Sequence, residues 1–217
     1  MKVSTDACIL GAYADAAHAV RILDIGAGTG LLSLMIAQRS TAQIEAVEID
    51  QNACLQAEMN FKNSPWADRL TLIHKSIQNF TATVSGTYDL IVSNPPFFVN
   101  SYKSPEAARS LARHTDTLGF DVLAQCVHGL LAEKGSFVVL LPSVETRLFE
   151  HEMQRCHLHV AHRLLIRDTQ ERTPHRVISV YRREAGEVSA EELIIKNGDG
   201  SYTDAFIELL KPYYLYL

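Results

Sequence analysis

Two short runs of residues carry types and spacings that could do chemistry. The first is Asp24-Ile25-Gly26-Ala27-Gly28-Thr29-Gly30, three glycines at alternate positions behind an acid. Glycine lets a chain turn sharply and brings main chain against a ligand with no Cβ in the way. Where such a turn opens a helix, unpaired N–H groups point at a polar or anionic group lying beyond it. A second acid, Glu48, follows 18 residues after Gly30, and a carboxylate there can accept hydrogen bonds from both hydroxyls of a ribose. Asp50 reads as the N-cap of the next helix before it reads as a ligand. A tight turn that binds nothing is the alternative, and the coincident acid weighs against it. The second run is Ser93-Asn94-Pro95-Pro96-Phe97-Phe98. Its Asn94 side-chain oxygen and Pro95 carbonyl are two hydrogen-bond acceptors, the prolines stiffen the backbone that carries them, and Phe97 offers a flat face for a planar group.

Both runs sit where strands end. Arg21–Gly26 reads as a first strand and Thr29–Arg39 as a helix with apolar residues at helical spacing. Ala42–Ile49 and Leu70–Lys75 are further strands, with a helix over Gln51–Asn63 between them. Tyr88–Ser93 is a fourth strand, stopped by Pro95-Pro96. A helix over Leu118–Leu131, a strand over Gly135–Pro142 and a helix over Val144–Arg155 follow. His159–Arg167 and Arg176–Tyr181 have no helix between them and are expected to pair antiparallel.

Alternating strands and helices with near-continuous apolar strands predict an α/β fold, a doubly wound Rossmann-like sheet covered on both faces. Seven strands are expected, mostly parallel, with the antiparallel C-terminal hairpin as an edge. Residues 1–185 form the main domain, and 186–217 an appendage packed on it. Within that appendage Glu191–Lys196 reads as a short strand and Thr203–Leu210 as a short helix with Thr203 or Asp204 near its N-cap. Ligands of such sheets bind beyond the carboxyl ends of the strands. The first and fourth strands are expected to be neighbours, so Asn94 would share a crevice with Gly26–Gly30.

Composition narrows the classes. The 217 residues are 47% hydrophobic and 21% charged with a net charge of −5, which describes a folded domain with a core that needs no staple. No apolar run reaches the ~18–20 residues of a membrane span, and Met1–Asp6 lacks a signal peptide's apolar segment. A cytoplasmic protein is expected. The mild acidity argues against an indiscriminate nucleic-acid binder but leaves room for a selective one with a local basic patch. Cys8, Cys54, Cys126 and Cys156 are scattered and read as buried free thiols. His151, His157, His159 and His162 have mixed spacings, so no metal is expected.

The acid-led glycine run resembles motif I of class I S-adenosylmethionine-dependent methyltransferases, and Asn94-Pro95-Pro96-Phe97 resembles the loop of that superfamily's amino-methyltransferases. The segments Met1–Tyr13, Val47–Asp50, Ser93–Ser101, Ala112–His114 and Tyr202–Leu209 are similar to the bacterial tRNA-valine adenine-N6 methyltransferase family over nearly the whole chain. The resemblance implies S-adenosyl-L-methionine as cofactor, S-adenosyl-L-homocysteine as product and tRNA as partner. It implies a cofactor site of Lys2, Thr5, Asp6, Asp24, Gly26, Gly28, Gly30, Glu48, Ile49, Ser76, Ile77 and Asn94, with Lys2, Thr5 and Asp6 over the methionine end. It implies a catalytic loop of Asn94, Pro95, Pro96 and Phe97. Family members place an acid where Ser76 stands, so the adenine contact is expected to differ here. They also carry aromatic and basic residues ahead of the Met1 position, so a weaker hold on RNA is expected. Phosphate contacts call for local positive charge; Lys103, Arg109, Arg113 and His114 after the loop, and Arg172 and Arg176 at the hairpin, are the candidates. A monomer is expected. Glutamine-amide methylation of a release factor, guanine-N2 methylation of rRNA and a non-catalytic binding module are the competing readings.

Overall fold

In the computed structural model the described residues are 4–95 and 118–216. They form one eight-stranded sheet in the order β3-β2-β1-β4-β5-β7-β6-β8. The strands are β1 (Arg21–Ile25), β2 (Gln43–Glu48), β3 (Leu70–His74), β4 (Tyr88–Ser93), β5 (Leu131–Pro142), β6 (His159–Arg167), β7 (Arg176–Arg182) and β8 (Ser189–Ile194). β1 to β5 run parallel, β7 is antiparallel to β5 and to β6, and β8 lies parallel to β6.

The expected seven-stranded sheet is therefore corrected in one respect. The β6–β7 hairpin forms antiparallel as expected, but it is not the edge. The last strand starts at Ser189 and covers β6 on its open side, with Arg167–Glu192 at 2.7 Å helping to hold it there. This is the short strand expected over Glu191–Lys196, begun two residues earlier, and its exposed glutamates do not mark it as a member of the main sheet.

Helices cover both faces. On one lie α1 (Thr5–Tyr13), α2 (Leu31–Ala37), Phe61 of α3 (Gln51–Lys62) and α7 (Asp204–Leu210), packed on Ile22, Ile44, Val92, Val138 and Leu140. On the other lie α4 (Ile77–Thr81), α5 (Phe120–Leu130) and α6 (Ser143–Arg155), packed on Leu23, Val47, Ile91, Phe137, Val139 and Leu141. In β5 the alternation sends Val138 and Leu140 to one face and Phe137, Val139 and Leu141 to the other, which is why the run is apolar throughout. Cys8, Cys54 and Cys126 are buried, whereas Cys156 at the end of α6 is partly exposed, a correction to its expected burial.

One edge of the sheet gathers the loops that matter. The carboxyl ends of β1, β2, β3, β4, β5, β6 and β8 all face it, and so does the start of β7, because Arg176 pairs with both Pro142 and Ile166. Among the described residues no helix is long and apolar enough to cross a membrane.

Candidate functional site

The glycine turn is fixed from below and from beside. Gly26, Gly28 and Gly30 all have positive φ, at 73°, 57° and 81°, a backbone region that side chains rarely adopt. The Gly26 and Ala27 N–H groups donate to the Val47 carbonyl at 2.8 and 3.1 Å, so the turn is stitched to the end of β2. Gly30 sits against the Phe61 ring, which leaves no room for a larger residue.

Asp24 lies fully buried beneath this turn. Its Oδ2 accepts the Ser33 hydroxyl at 2.7 Å and the Ser33 N–H at 3.2 Å. Its Oδ1 is buried with no hydrogen-bond partner among the described residues. Removal from water pushes the carboxyl up to about 6; the Ser33 bonds pull it back and the nearby Glu48 charge pushes it further. An orphaned buried oxygen of this kind is the mark of a site built for a donor.

Glu48 ends β2 and is almost entirely buried. Its Oε2 accepts the Gly28 N–H at 2.7 Å, and its Oε1 accepts the N–H groups of Ile49 and Asp50, each at 2.8 Å. A carboxylate offers about four lone-pair positions, so one on Oε2 is left for a hydroxyl. Asp50 caps α3 through the Ala53 N–H at 2.7 Å, in keeping with its assignment as a cap.

Beside Glu48 opens a cavity of about 270 Å³, lined by Gly26, Glu48, Ile49, Ser76 and Ile77 together with Lys75, Gln78, Asn79 and Leu118. Its volume is just below that of common small-molecule sites, about 300–1,000 Å³. Five of the residues expected to hold the cofactor thus line one concavity. Ser76 is the N-cap of α4, its hydroxyl accepting the Asn79 N–H at 3.2 Å. Lys75, Gln78, Asn79 and Leu118 were not among the expected site residues. Ser76 standing directly before the helically spaced Ile77 and Phe80 is a helix-start signal that would have located α4 and, with it, this wall.

The strand register brings the second run to the first. β1 and β4 are neighbours with Ile25 opposite Ser93, so Gly26 and Asn94 leave the sheet side by side. Ser93 is buried and donates its hydroxyl to the Ile25 carbonyl at 2.9 Å. Asn94 is half-buried and Pro95 buried. Pro96, Phe97, Lys103, Arg109, Arg113, His114 and Lys2 lie outside the described residues.

The remaining expected residues divide. Thr5 and Asp6 begin α1, whose N-cap Ser4 accepts the Ala7 N–H at 3.2 Å. Asp6 is engaged by Arg176, whose Nε donates to Asp6 Oδ2 at 2.9 Å. Arg176, expected at RNA phosphate, is thus a partly buried ion-pair member. Arg172 is exposed in the loop between β6 and β7. His162 is occupied by Ser189 at 2.6 Å and Glu191 at 3.2 Å. Among the described residues no three His, Cys, Asp or Glu side chains converge as metal ligands would.

Comparison with known proteins adds an independent line. Residues 7–118 match the family described as the Methyltransferase small domain. The tRNA1(Val) (adenine(37)-N6)-methyltransferase of Serratia proteamaculans is 42% identical over 219 residues, covering 100% of this chain and 84% of that one. The protein of the same name from Phocaeicola vulgatus is 41% identical over 215 residues, covering 99% of this chain and 91% of that one. Among solved structures, one described as a predicted O-methyltransferase from Agrobacterium tumefaciens superposes with a TM-score of 0.70 at 16% identity, over 98% of each chain. That likeness speaks for the fold.

Proposed function

The chain belongs to the tRNA1(Val) (adenine(37)-N6)-methyltransferase family, and on that premise we propose that it transfers a methyl group from S-adenosyl-L-methionine to the exocyclic N6 of an adenine in the anticodon loop of tRNA. The carrying observation is the pairing of Ile25 with Ser93, which sets the glycine turn and Asn94 next to each other at one sheet edge.

The residues present fit that cofactor. Asp24 holds a buried oxygen with no partner among the described residues, Glu48 retains an acceptor position, and the concavity beside them is lined by the apolar Ile49 and Ile77 and the polar Ser76. Glu48 would take one ribose hydroxyl through its remaining Oε2 position, Ile49 and Ile77 would flank the adenine, and Ser76 would meet its polar edge. Gly26, Gly28 and Gly30 would lie along the ligand, with Asp24, Thr5, Asp6 and Lys2 toward the amino-acid end. When bound, S-adenosylmethionine supplies an electrophilic methyl group on a sulfonium.

The protein's own task is to prepare the amine. An aromatic amine is a weak nucleophile because its lone pair is delocalised into the ring. The Asn94 oxygen and the Pro95 carbonyl accept its two N–H groups, which favours a pyramidal nitrogen with its lone pair exposed. The backbone that carries both acceptors is restrained before the substrate arrives, by the Pro95 ring and by the bond of the preceding residue, Ser93, to Ile25. No general base is required, since the amine proton becomes acidic only as positive charge develops; orientation supplies most of the rate. Pro96 and Phe97 follow in the sequence, and Phe97 would give the target base a stacking face. Reaching an adenine inside a loop requires splaying it from its neighbours, and exposed cations such as Arg172, with Lys103, Arg109, Arg113 and His114, would meet the surrounding phosphates.

We place the catalytic unit in residues 1–185, with 186–217 as an appendage, in a monomer acting in the cytoplasm. The test is nucleoside mass spectrometry of tRNA incubated with the protein and labelled cofactor. Label in N6-methyladenosine is the expected result; label only in protein, or in N2-methylguanosine, overturns it.

A further inference from the structure

α1 starts at the same sheet edge as the glycine turn. Its second residue, Asp6, is bonded to Arg176, the first residue of β7. From there α1 descends beside α2, with Gly11 packed directly on Met35 and the Arg39 guanidinium donating to the carbonyls of Gly11 and Ala14. Its far end is tied to β8 by Tyr13, whose hydroxyl donates to Glu191 Oε1 at 2.7 Å. The first turns of α1 and α2 therefore stand next to each other, and Arg176 closes the outer side of α1. Its guanidinium also donates to the His175 carbonyl at 3.1 Å, which fixes the side chain against its own strand end.

We propose that Arg176 is a positioning residue for the cofactor site, acting through Asp6, and not a contact to RNA. This rests on the methyltransferase reading given above, and it reassigns a residue whose charge and sheet-edge position first suggested phosphate. Three observations carry it. The Asp6 and Arg176 side chains are only 22% and 25% exposed, so this ion pair is screened from solvent far more than a surface pair. It joins residues 170 positions apart in sequence, so it fixes tertiary placement and not local helix stability. Two of the guanidinium's five N–H donors are already committed, one to a carboxylate and one to a carbonyl, so its charge is paired with Asp6 before any phosphate approaches. Without Arg176 the Asp6 carboxylate would lose its counter-charge and turn toward water, taking the first turn of α1 away from the glycine turn.

The experiment compares Arg176→Ala, Arg176→Lys and Asp6→Asn in the full chain. Calorimetry gives the Kd for S-adenosylhomocysteine, and steady-state kinetics gives KM for tRNA. Arg176→Ala is expected to weaken S-adenosylhomocysteine about tenfold, the scale of one charge-assisted hydrogen bond, with KM for tRNA within about twofold of wild type. Arg176→Lys should recover part of the loss, because an ammonium restores the charge without the planar fork. Combining Asp6→Asn with Arg176→Ala should weaken binding little more than either change alone. A rise in tRNA KM with unchanged Kd would overturn the proposal in favour of an RNA contact, and so would unchanged values of both. Should Arg176→Ala fail to fold, Arg176→Lys and Asp6→Asn carry the same comparison. Failure of the wild-type protein to bind S-adenosylhomocysteine at all would strike the methyltransferase reading instead.

Discussion

The Ser93 hydroxyl donates to the Ile25 carbonyl at 2.9 Å across two neighbouring parallel strands. Each residue immediately precedes one of the two chain reversals at the site, so this single bond ties the placement of Asn94 to that of Gly26. Ser93→Ala should lower stability by about 1 kcal/mol, read by chemical denaturation. Because it also frees the strand end, methyl transfer should fall further than S-adenosylhomocysteine affinity does.

Asn94→Ala removes one of the two acceptors for the amine. A fall in kcat of about 100-fold or more is expected, with the Kd for S-adenosylhomocysteine within about threefold of wild type. Single-turnover kinetics with calorimetry separates the two. Full turnover in this variant would refute the assignment of Asn94.

The glycines should answer differently to the same substitution. Gly30→Ala combines a φ of 81° with a Cβ driven into the Phe61 ring, Cζ at 2.9 Å, so it should destabilise the fold by about 2 kcal/mol or more. A Cβ on Gly26, φ 73°, meets no atom of the described residues within 4 Å. Gly26→Ala should therefore carry backbone strain of only about 1 kcal/mol, while its Cβ stands where the ligand belongs. Melting curves should show the larger loss for Gly30→Ala, and binding should be weakened in Gly26→Ala well beyond its effect on stability.

Asp24 gives a pH signature. Its folded value is raised from an ordinary 3.8 to about 6, chiefly by burial. The folded protein therefore holds this proton more tightly than the unfolded chain, and this group's contribution to stability falls as pH rises from about 4 to about 6. Asp24→Asn should remove that part of the pH dependence and raise stability at neutral pH relative to wild type. It should also weaken S-adenosylhomocysteine, since the buried acceptor is lost. Denaturation at pH 4.5 and pH 7.5 with calorimetry at pH 7.5 tests both; a variant with the wild-type slope would remove Asp24 as its source.

Much of this was legible before any coordinates. The apolar runs of β1, β2, β4 and β5 and the acid-led glycine turn are local signals, strong because strands buried on both faces tolerate little else. That β1 and β4 adjoin was expected from the usual order of such sheets, and with it the meeting of the two runs. α1 and α4 were not foreseen. The first has apolar residues almost all round, because it is covered by α2, β5 and α7, and the second is a single short turn after Ser76. β8 was expected as a short strand over Glu191–Lys196, two residues late, but not as the eighth member of the sheet, because a polar edge strand carries no local mark of the partner it joins. The role of Ser33 under Asp24, and the pairing of Asp6 with Arg176, are relations between distant segments that no local pattern encodes.

Glu48 has a consequence of its own. With three main-chain amides gripping its carboxylate, it behaves as a keystone between two loops, immobile before any nucleoside arrives. Ribose would meet a rigid acceptor whose ordering was completed during folding, so little entropy remains to be lost there on association. The same anchoring makes glutamine a poor mimic: its NH₂ group would confront amide hydrogens that need an oxygen, and the arch would loosen before any sugar was missed.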